Sequence, residues 1–361
     1  MDVVETDSKH IARSHDLSRD DPQTLKHYYH QMLLIRRFEE RASEMYTKAR
    51  IGGYCHLNLG EEATIVGLMA ALTDDDYIYT NYREHGYILA RGVPGGPVMA
   101  ELFGRETGVS GGRGGSMHLF DAKHKFMGGY GIVGGQVPLA TGAAYALKYQ
   151  ERPGIVLCQV GDATTNIGPW YESLNLAKLY QLPVLYFIVN NGYGMGTSVE
   201  EGSSEPDLWK KGRSFRIHGE RVDGTDVIEV RNTVRRLREL AEREHEPAIL
   251  DVVSFRFRGH SVIDPDRYRN AEEVKRGRAQ HDPISLFGSQ LLDARIVDDA
   301  FMRETAQTVE REVQEAIDFA EHSTPPKLDD LYKYMYATEV PNTVSAEEQA
   351  QFEAKLKRAG H

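Results

Sequence analysis

Residues 155–194 read IVLCQVGDATTNIGPWYESLNLAKLYQLPVLYFIVNNGYG. Two largely apolar runs, 155–160 and 184–189, are followed directly by Gly161-Asp162 and by Asn190-Asn191. A helical segment at about 170–180 separates the two runs. A strand, a crossover helix and a second strand in this order indicate neighbouring parallel strands. Because parallel strands end at the same edge of a sheet, we expect Asp162 and Asn191 to lie close together there.

The remaining sequence extends this pattern in both directions. Apolar residues at helical spacing predict further helices at residues 21–48, 61–72, 137–149, 227–241 and 300–320. Alternation of apolar and polar residues over 253–257 predicts another strand. The expected fold class is therefore α/β, a parallel sheet flanked by helices, with helical N- and C-terminal extensions. We expect residues 1–20 to be a flexible tail, 21–335 to be one domain and 336–361 to be a charged C-terminal tail.

Composition excludes several classes of protein. The chain has 361 residues, with 54 acidic against 43 basic side chains, and its net charge of −11 disfavours nucleic acid or an anionic membrane as a partner. Its longest apolar runs are far shorter than the roughly 20 residues of a membrane span. Cys55 and Cys158 lack metal-ligand spacing, and the start MDVVETDSKH resembles no signal or transit segment. A reducing, cytoplasmic location is expected.

Polar residues at the predicted strand ends suggest a cation and a diphosphate. The side chains of Asp162 and Asn191, with a main-chain carbonyl from the next turn, are oxygen ligands that Mg²⁺ or Ca²⁺ uses beside phosphate. Tyr82 and Arg83 offer a hydroxyl and a planar guanidinium, which suit a diphosphate. Glycine is dense over residues 104–135, and we expect this backbone to approach a bound molecule. No G-x-G-x-x-G follows a predicted strand, so a nicotinamide dehydrogenase is not expected.

The same segments resemble a known family. GDATTNIG (161–168) and NNGYGMGTS (190–198) are similar to the thiamine diphosphate motif of 2-oxoacid dehydrogenases. Further segments resemble, in order, signatures of the alpha subunits of the decarboxylating first component of pyruvate dehydrogenase: GYCHLNLGEEA (53–63), NYREHG (81–86), GRGGSMH (112–118), GGYGIVGGQVPLATG (128–142) and FRGHSVIDPDRYR (257–269). The resemblance covers roughly residues 25–335 and implies a thiamine diphosphate-binding fold.

The resemblance also implies roles for individual residues. The metal ligands would be Asp162, Asn191 and the main-chain oxygen of Tyr193. The cofactor would contact Tyr82, Arg83, Gly129, Gly131, Val133, Asp162, Ala163, Thr164, Asn191 and His260. His56 and His260 would be the active-site histidines, since an imidazole that titrates near neutral pH can move protons. Ala163 replaces the family's usual glycine and fits if its φ is negative.

The resemblance implies an activity and partners as well. Pyruvate would be decarboxylated on thiamine diphosphate with Mg²⁺, and the acetyl unit would pass to the lipoyl group of an acyltransferase component. Little chain remains after residue 259 for a second cofactor-binding domain, so a beta subunit is expected to complete an α2β2 heterotetramer. The alternatives are a branched-chain 2-oxoacid or acetoin dehydrogenase alpha subunit, or a non-catalytic diphosphate-binding subunit.

Overall fold

The computed structural model describes residues 15–331, 333–334, 347, 350–351 and 353–355. Its strands are β1 (Tyr77–Asn81), β2 (Phe126–Tyr130), β3 (Val156–Gly161), β4 (Val184–Asn190), β5 (Tyr193–Gly194), β6 (Thr197–Ser198), β7 (His218–Asp223) and β8 (Ala248–Val253). Its α-helices are α1 (Pro22–Thr47), α2 (Glu62–Met69), α3 (His85–Ala90), α4 (Gly95–Leu102), α5 (Gln136–Tyr149), α6 (Gly168–Leu179), α7 (Val199–Gly202), α8 (Val227–Glu244), α9 (Ala271–Gln280), α10 (Pro283–Asp293) and α11 (Asp299–His322).

One parallel sheet organises the described residues. Its strand order is β2-β1-β3-β4-β8-β7, and every neighbouring pair is parallel. From β1 the chain adds β2 on one side and β3 on the other, so the order reverses between β1 and β3. Open α/β sheets bind ligands outside the carboxyl ends of the strands at such a reversal. The fold therefore places a binding crevice beside Asn81 and Gly161.

Both faces of the central strands are covered, which explains their unbroken apolar sequences. On one face, Cys158 and Tyr186 belong to a core that includes residues of α5 and α6. On the other face, Leu157 and Phe187 belong to a larger core with residues of α1, α2, α8, α10 and α11. Helix α1 begins as its sequence predicts, because the Asp21 carboxylate caps it at the Thr24 N–H, 2.9 Å away.

Other details of the sequence-based fold were wrong. Strand β8 ends at Val253, so residues 254–257 do not continue it, and the Phe257 N–H donates instead to the Leu59 carbonyl at 3.0 Å. The glycine-dense segment 104–135 contains strand β2, so the G-x-G-x-x-G of residues 129–134 does follow a strand and leads into α5. Helix α9 was not predicted. Strands β1 and β7 were not predicted either, because they are short or rich in polar residues.

The first described residues of the chain pack against helix α8. Of the tail predicted at residues 1–20, residues 1–14 lie outside the described residues. The rest contacts α8: Leu17 is buried, His15 bonds the Asp226 carboxylate at 2.6 Å, and the Asp20 carboxylate accepts a hydrogen bond from Arg231 at 2.7 Å.

The chain divides into two units, of which the first ends at Pro325 and the second begins at Pro326. A 3-10 helix, Leu328–Leu331, is described in the second unit, and most of the predicted tail 336–361 lies outside the described residues.

A single carboxylate holds much of the glycine-dense segment. Glu101 on α4 is fully buried and accepts the N–H groups of Ser110, Gly112, Gly114 and Gly115 at 2.7–3.1 Å. A Cβ at Gly108 would lie 2.3 Å from a Glu101 carboxylate oxygen. These glycines therefore allow the chain to wrap around a buried charge, and the expectation that they approach a bound molecule was wrong for this part of the segment.

Replacing Glu101 with glutamine should loosen this loop. The amide retains one acceptor oxygen and turns an NH2 group toward N–H donors, which costs about 2 kcal/mol or more. Trypsin cleavage after Arg113, which lies within the loop, should then accelerate roughly 30-fold. Glu304→Gln, at an exposed position on α11, is the matched control and should leave the rate unchanged. Mass spectrometry measures the rate of cleavage. Equal rates for E101Q and the native chain would show that Glu101 does not hold the loop.

Candidate active site

The sheet reversal opens into a cavity of about 890 Å³. All of the predicted site residues except Gly129 line it. They come from the loop before α2, from the ends of β1, β3 and β4, from the turn after β2, and from the segment after β8. Those lining residues are His56, Tyr82, Arg83, Gly131, Val133, Asp162, Ala163, Thr164, Asn191, Tyr193 and His260.

Two buried oxygens at the strand ends have no hydrogen-bond partner within the described part of the chain. They are Oδ2 of Asp162, directly after β3, and Oδ1 of Asn191, directly after β4. Burial raises the pKa of Asp162 to about 6. A cation bound here would satisfy both oxygens and offset that burial, so the residues fit a divalent metal. The third predicted ligand, the Tyr193 carbonyl, accepts from Arg256 at 3.3 Å.

Ala163 fits its position without backbone strain. It lies in a 3-10 turn, Asp162–Asn166, and its φ is not positive. A Cβ at Gly194 would lie 2.4 Å from the Ala163 methyl group. The glycine on β5 therefore makes room for the methyl group that this chain carries where the family usually has none. The backbone condition set for an alanine after Asp162 is therefore met.

His56 and His260 face each other across the cavity wall. Their ring centroids are 4.9 Å apart, and the Tyr82 ring packs at a tilt against His56, with the two centroids 4.4 Å apart. Burial and then the Arg83 charge lower the pKa of His56 to about 2 and that of His260 to about 4. Both rings are therefore neutral at pH 7, contrary to the expectation of imidazoles that titrate near neutrality. Nδ1 of each ring is buried and has no partner among the described residues.

Two buried guanidinium groups line the cavity. Arg83 donates to the carbonyls of Leu57 and His260 at 2.7 and 2.9 Å. Arg256 donates to main-chain carbonyls and to the Tyr268 hydroxyl, 2.7 Å away. Within the residues that the structure describes, no carboxylate forms a salt bridge with either arginine. Buried guanidinium groups without a direct carboxylate partner favour an anionic ligand such as a diphosphate.

Gly129 serves packing, so the reason first given for this glycine was wrong. It does not line the cavity, and a Cβ there would lie 1.9 Å from the Glu84 carboxylate. Glu84 is fully buried and accepts from the Leu119 N–H at 2.8 Å and the Thr80 hydroxyl at 3.2 Å. Burial raises the pKa of Glu84 well above its usual range. The glycine makes room for this acid and not for a ligand.

Sequence reasoning missed Glu61 and Arg256, which also line the cavity. Arg256 was one of the polar positions of the strand predicted at 253–257, but it is only 2% exposed and no strand is present there. Its position four residues before His260 was the available signal. Glu61 lies in GYCHLNLGEEA, where only His56 was considered. Its Oε1 accepts from Asn191 Nδ2 at 3.1 Å.

The chain is similar to known proteins over most of its length. A family model described as dehydrogenase E1 component matches residues 30–329. Among curated relatives, the pyruvate dehydrogenase E1 component subunit alpha of Rhizobium meliloti is 43% identical over 84% of this chain and 87% of its own length. The proteins of the same name from Zymomonas mobilis and Rickettsia felis are 44% and 43% identical, over 86% and 85% of this chain and 88% and 94% of their own.

A search of the described helices found none that is both long and apolar enough to cross a membrane.

The neutral histidines should make the chain less stable in mild acid. An unfolded histidine takes up a proton near pH 6.5, whereas His56 and His260 resist protonation until about pH 2 and 4. The free energy of unfolding should be unaffected by these groups above pH 6.5 and should fall as the pH decreases from 6.5 toward 4. The slope should stay below the full ~1.4 kcal/mol per pH unit per histidine, because His260 is partly exposed.

Urea unfolding at pH 7.5 and 5.5 measures this loss. His260→Gln should show a smaller loss than the native chain, while His322→Gln, an exposed histidine on α11, should behave like the native chain. An identical pH dependence in H260Q and the native chain would show that His260 is not held neutral.

Proposed function

The chain belongs to the dehydrogenase E1 component family, and from this membership we propose that it is the alpha subunit of a pyruvate dehydrogenase first component. The family is thiamine diphosphate-dependent. The reaction is decarboxylation of pyruvate followed by reductive acetylation of a lipoyl group. The relatives' names favour this substrate over the branched-chain and acetoin alternatives.

One observation carries the proposed chemistry. Two buried, unpartnered oxygens, on Asp162 and Asn191, share a cavity with two buried guanidinium groups. A divalent cation together with a diphosphate would satisfy both sets of groups at once. A non-catalytic subunit would have no need to retain this arrangement together with a pair of histidines. The orphaned oxygens therefore support a working cofactor site.

We assign the cofactor contacts as follows. Asp162, Asn191 and the Tyr193 carbonyl would hold Mg²⁺, and Arg83, Arg256 and Tyr82 would face the diphosphate. Gly131 and Val133, after β2, would lie beside the thiamine rings, with Ala163 and Thr164 near the phosphates. When bound, thiamine diphosphate supplies the nucleophilic carbon and the electron sink for decarboxylation.

The two histidines would serve the substrate. Because both rings are neutral, each can donate a hydrogen bond from one ring nitrogen and accept at the other. The parts of the His56 and His260 rings that line the cavity would orient the carboxylate and keto oxygen of pyruvate and hold a proton for the developing oxyanion. Neutral imidazoles also avoid adding charge to a cavity that already holds Arg83 and Arg256.

An apolar surface beside the cavity suits the proposed beta subunit. Helices α5 and α6 pack side by side, and their outward faces expose large apolar side chains that extend past the end of α6 to its C-cap: Leu139, Tyr145, Tyr149, Leu176, Leu179 and Tyr180. Contiguous apolar surface of this kind marks a protein interface. Gly142, in the middle of α5, has no heavy atom within 4 Å of a Cβ position. A helix-weakening glycine with open space beside it fits close approach by a partner backbone.

The partners we propose are a beta subunit, forming an α2β2 heterotetramer, and the lipoyl-bearing acyltransferase component. The location we propose is the cytoplasm. Both cysteines are buried and unpaired, which suits a reducing compartment.

Co-expression with a beta subunit tests the function. The complex, supplied with thiamine diphosphate, Mg²⁺ and a lipoyl domain, should acylate that domain faster from pyruvate than from 2-oxobutyrate or 3-methyl-2-oxobutanoate. The chain alone should not turn over, because the cofactor site is incomplete. Strong decarboxylation without a partner, or a preference for the branched acid, would refute the proposal.

Gly142→Leu tests the partner surface. A leucine should stabilise the isolated helix by up to about 1 kcal/mol, since glycine is a poor helix former, yet it should block assembly. Gel filtration should then show the alpha chain and its beta subunit eluting separately, while thermal unfolding shows an intact alpha chain. Ala306→Leu, at an exposed position on α11, is the control and should assemble normally. Normal assembly of G142L would place the interface elsewhere.

A further inference from the structure

We infer that Glu61 is a positioning residue that turns the side-chain oxygen of Asn191 toward the cation site. The inference rests on the proposed function, because it takes Asn191 as a ligand. An asparagine can present either its oxygen or its NH2 group to a cavity, and only the oxygen can bind a cation. A device that selects one orientation therefore decides whether this residue is a ligand at all.

Glu61 supplies that selection through a direct contact. Its Oε1 lies 3.1 Å from Nδ2 of Asn191, and its Oε2 lies 3.0 Å from Nδ2 of Asn58. An ionised carboxylate only accepts hydrogen bonds, so both asparagines must turn their NH2 groups toward it. Oδ1 of Asn191 is left on the other side, buried and without a partner among the described residues.

The orientation of the Asn58 amide is fixed by its other hydrogen bonds. Asn58 is fully buried, its Oδ1 accepts the Gly86 N–H at 3.1 Å, and its own N–H donates to Glu39 at 2.9 Å. If the Asn58 amide turned over, the Gly86 N–H would face an NH2 group. Asn58 therefore cannot adapt to a change at position 61. Any mismatch introduced there must be resolved at Asn191, which is only partly buried.

Glu61→Gln tests whether Glu61 sets the orientation of the Asn191 amide. Glutamine keeps the size of glutamate but offers one acceptor and one donor. If its oxygen stays with Asn58, its NH2 group faces Asn191, whose amide must turn over and present N–H groups to the cation. Substitutions in the outer shell of a metal site weaken binding roughly 10- to 100-fold. We expect a loss in this range for Mn²⁺.

A second substitution should reverse the effect. Asn191→Asp places an oxygen on both sides of the side chain, so in the E61Q background the glutamine NH2 can donate to one oxygen while the other binds the cation. With Glu61 retained, the same substitution sets two carboxylates against each other. N191D should therefore weaken Mn²⁺ binding when residue 61 is glutamate and strengthen Mn²⁺ binding when residue 61 is glutamine. A merely structural role for Glu61 would not produce this change of sign.

The experiment measures Mn²⁺ binding by electron paramagnetic resonance in the complex with the beta subunit, with and without thiamine diphosphate. It compares the native chain, E61Q, N191D and the double variant, with Glu304→Gln as the control. The expected result is a 10- to 100-fold loss in E61Q and recovery of at least part of it in the double variant, with E304Q unchanged. Should E61Q fail to fold, tighter binding by the double variant than by N191D still supports the inference.

The outcomes separate the inference from the function on which it rests. If the native complex binds no Mn²⁺ in the presence of thiamine diphosphate, the proposed cofactor site is wrong and the inference falls with it. If the native complex binds Mn²⁺ and E61Q binds it equally well, or N191D does not recover the loss, only the positioning role of Glu61 is overturned.

Discussion

The parallel direction of every neighbouring strand in the sheet is the constraint on which the rest of the molecule depends. It brings the residues that follow β1, β3 and β4 to one edge, and the reversal of strand order between β1 and β3 leaves a crevice there. Tyr82, Asp162 and Asn191 thus need no long loops to meet. The segments that complete the cavity, around His56 and after β8, have only to fold over an edge that is already fixed.

Two buried charged side chains, Glu101 and Arg256, are balanced largely by the backbone. Glu101 is surrounded by N–H groups, and Arg256 donates mainly to carbonyl groups. Backbone dipoles stabilise such charges without a counter-ion, but they require the chain to come close, which is what glycine permits near Glu101. The two groups differ in what they can still bind. The Glu101 carboxylate has its hydrogen-bond partners within the protein, whereas Arg256 lies with Arg83 in a cavity that can accept an anion.

The sequence predicted the parts of the molecule that repeat or are fully buried. Strands β3 and β4 are unbroken apolar runs, and α1 carries a capping aspartate and an apolar stripe. It did not predict β2, because Phe126–Tyr130 contains two glycines, nor the burial of Arg256, because an arginine between phenylalanines is typical of an exposed strand position. Glu61 was missed for a different reason. Its importance lies in which atom of Asn191 it contacts, and atomic orientation leaves no trace in residue spacing.

The close approach of Ala163 and Gly194 links two positions that are far apart in the sequence. Since a Cβ at residue 194 would lie 2.4 Å from the alanine methyl group, the two sites cannot both carry side chains without a shift of the backbone. They are epistatic: alanine is tolerated at one only while glycine occupies the other. A lineage could therefore acquire the Gly-Asp-Ala form of the motif only from an ancestor that already had glycine at position 194, and afterwards that glycine could no longer be replaced.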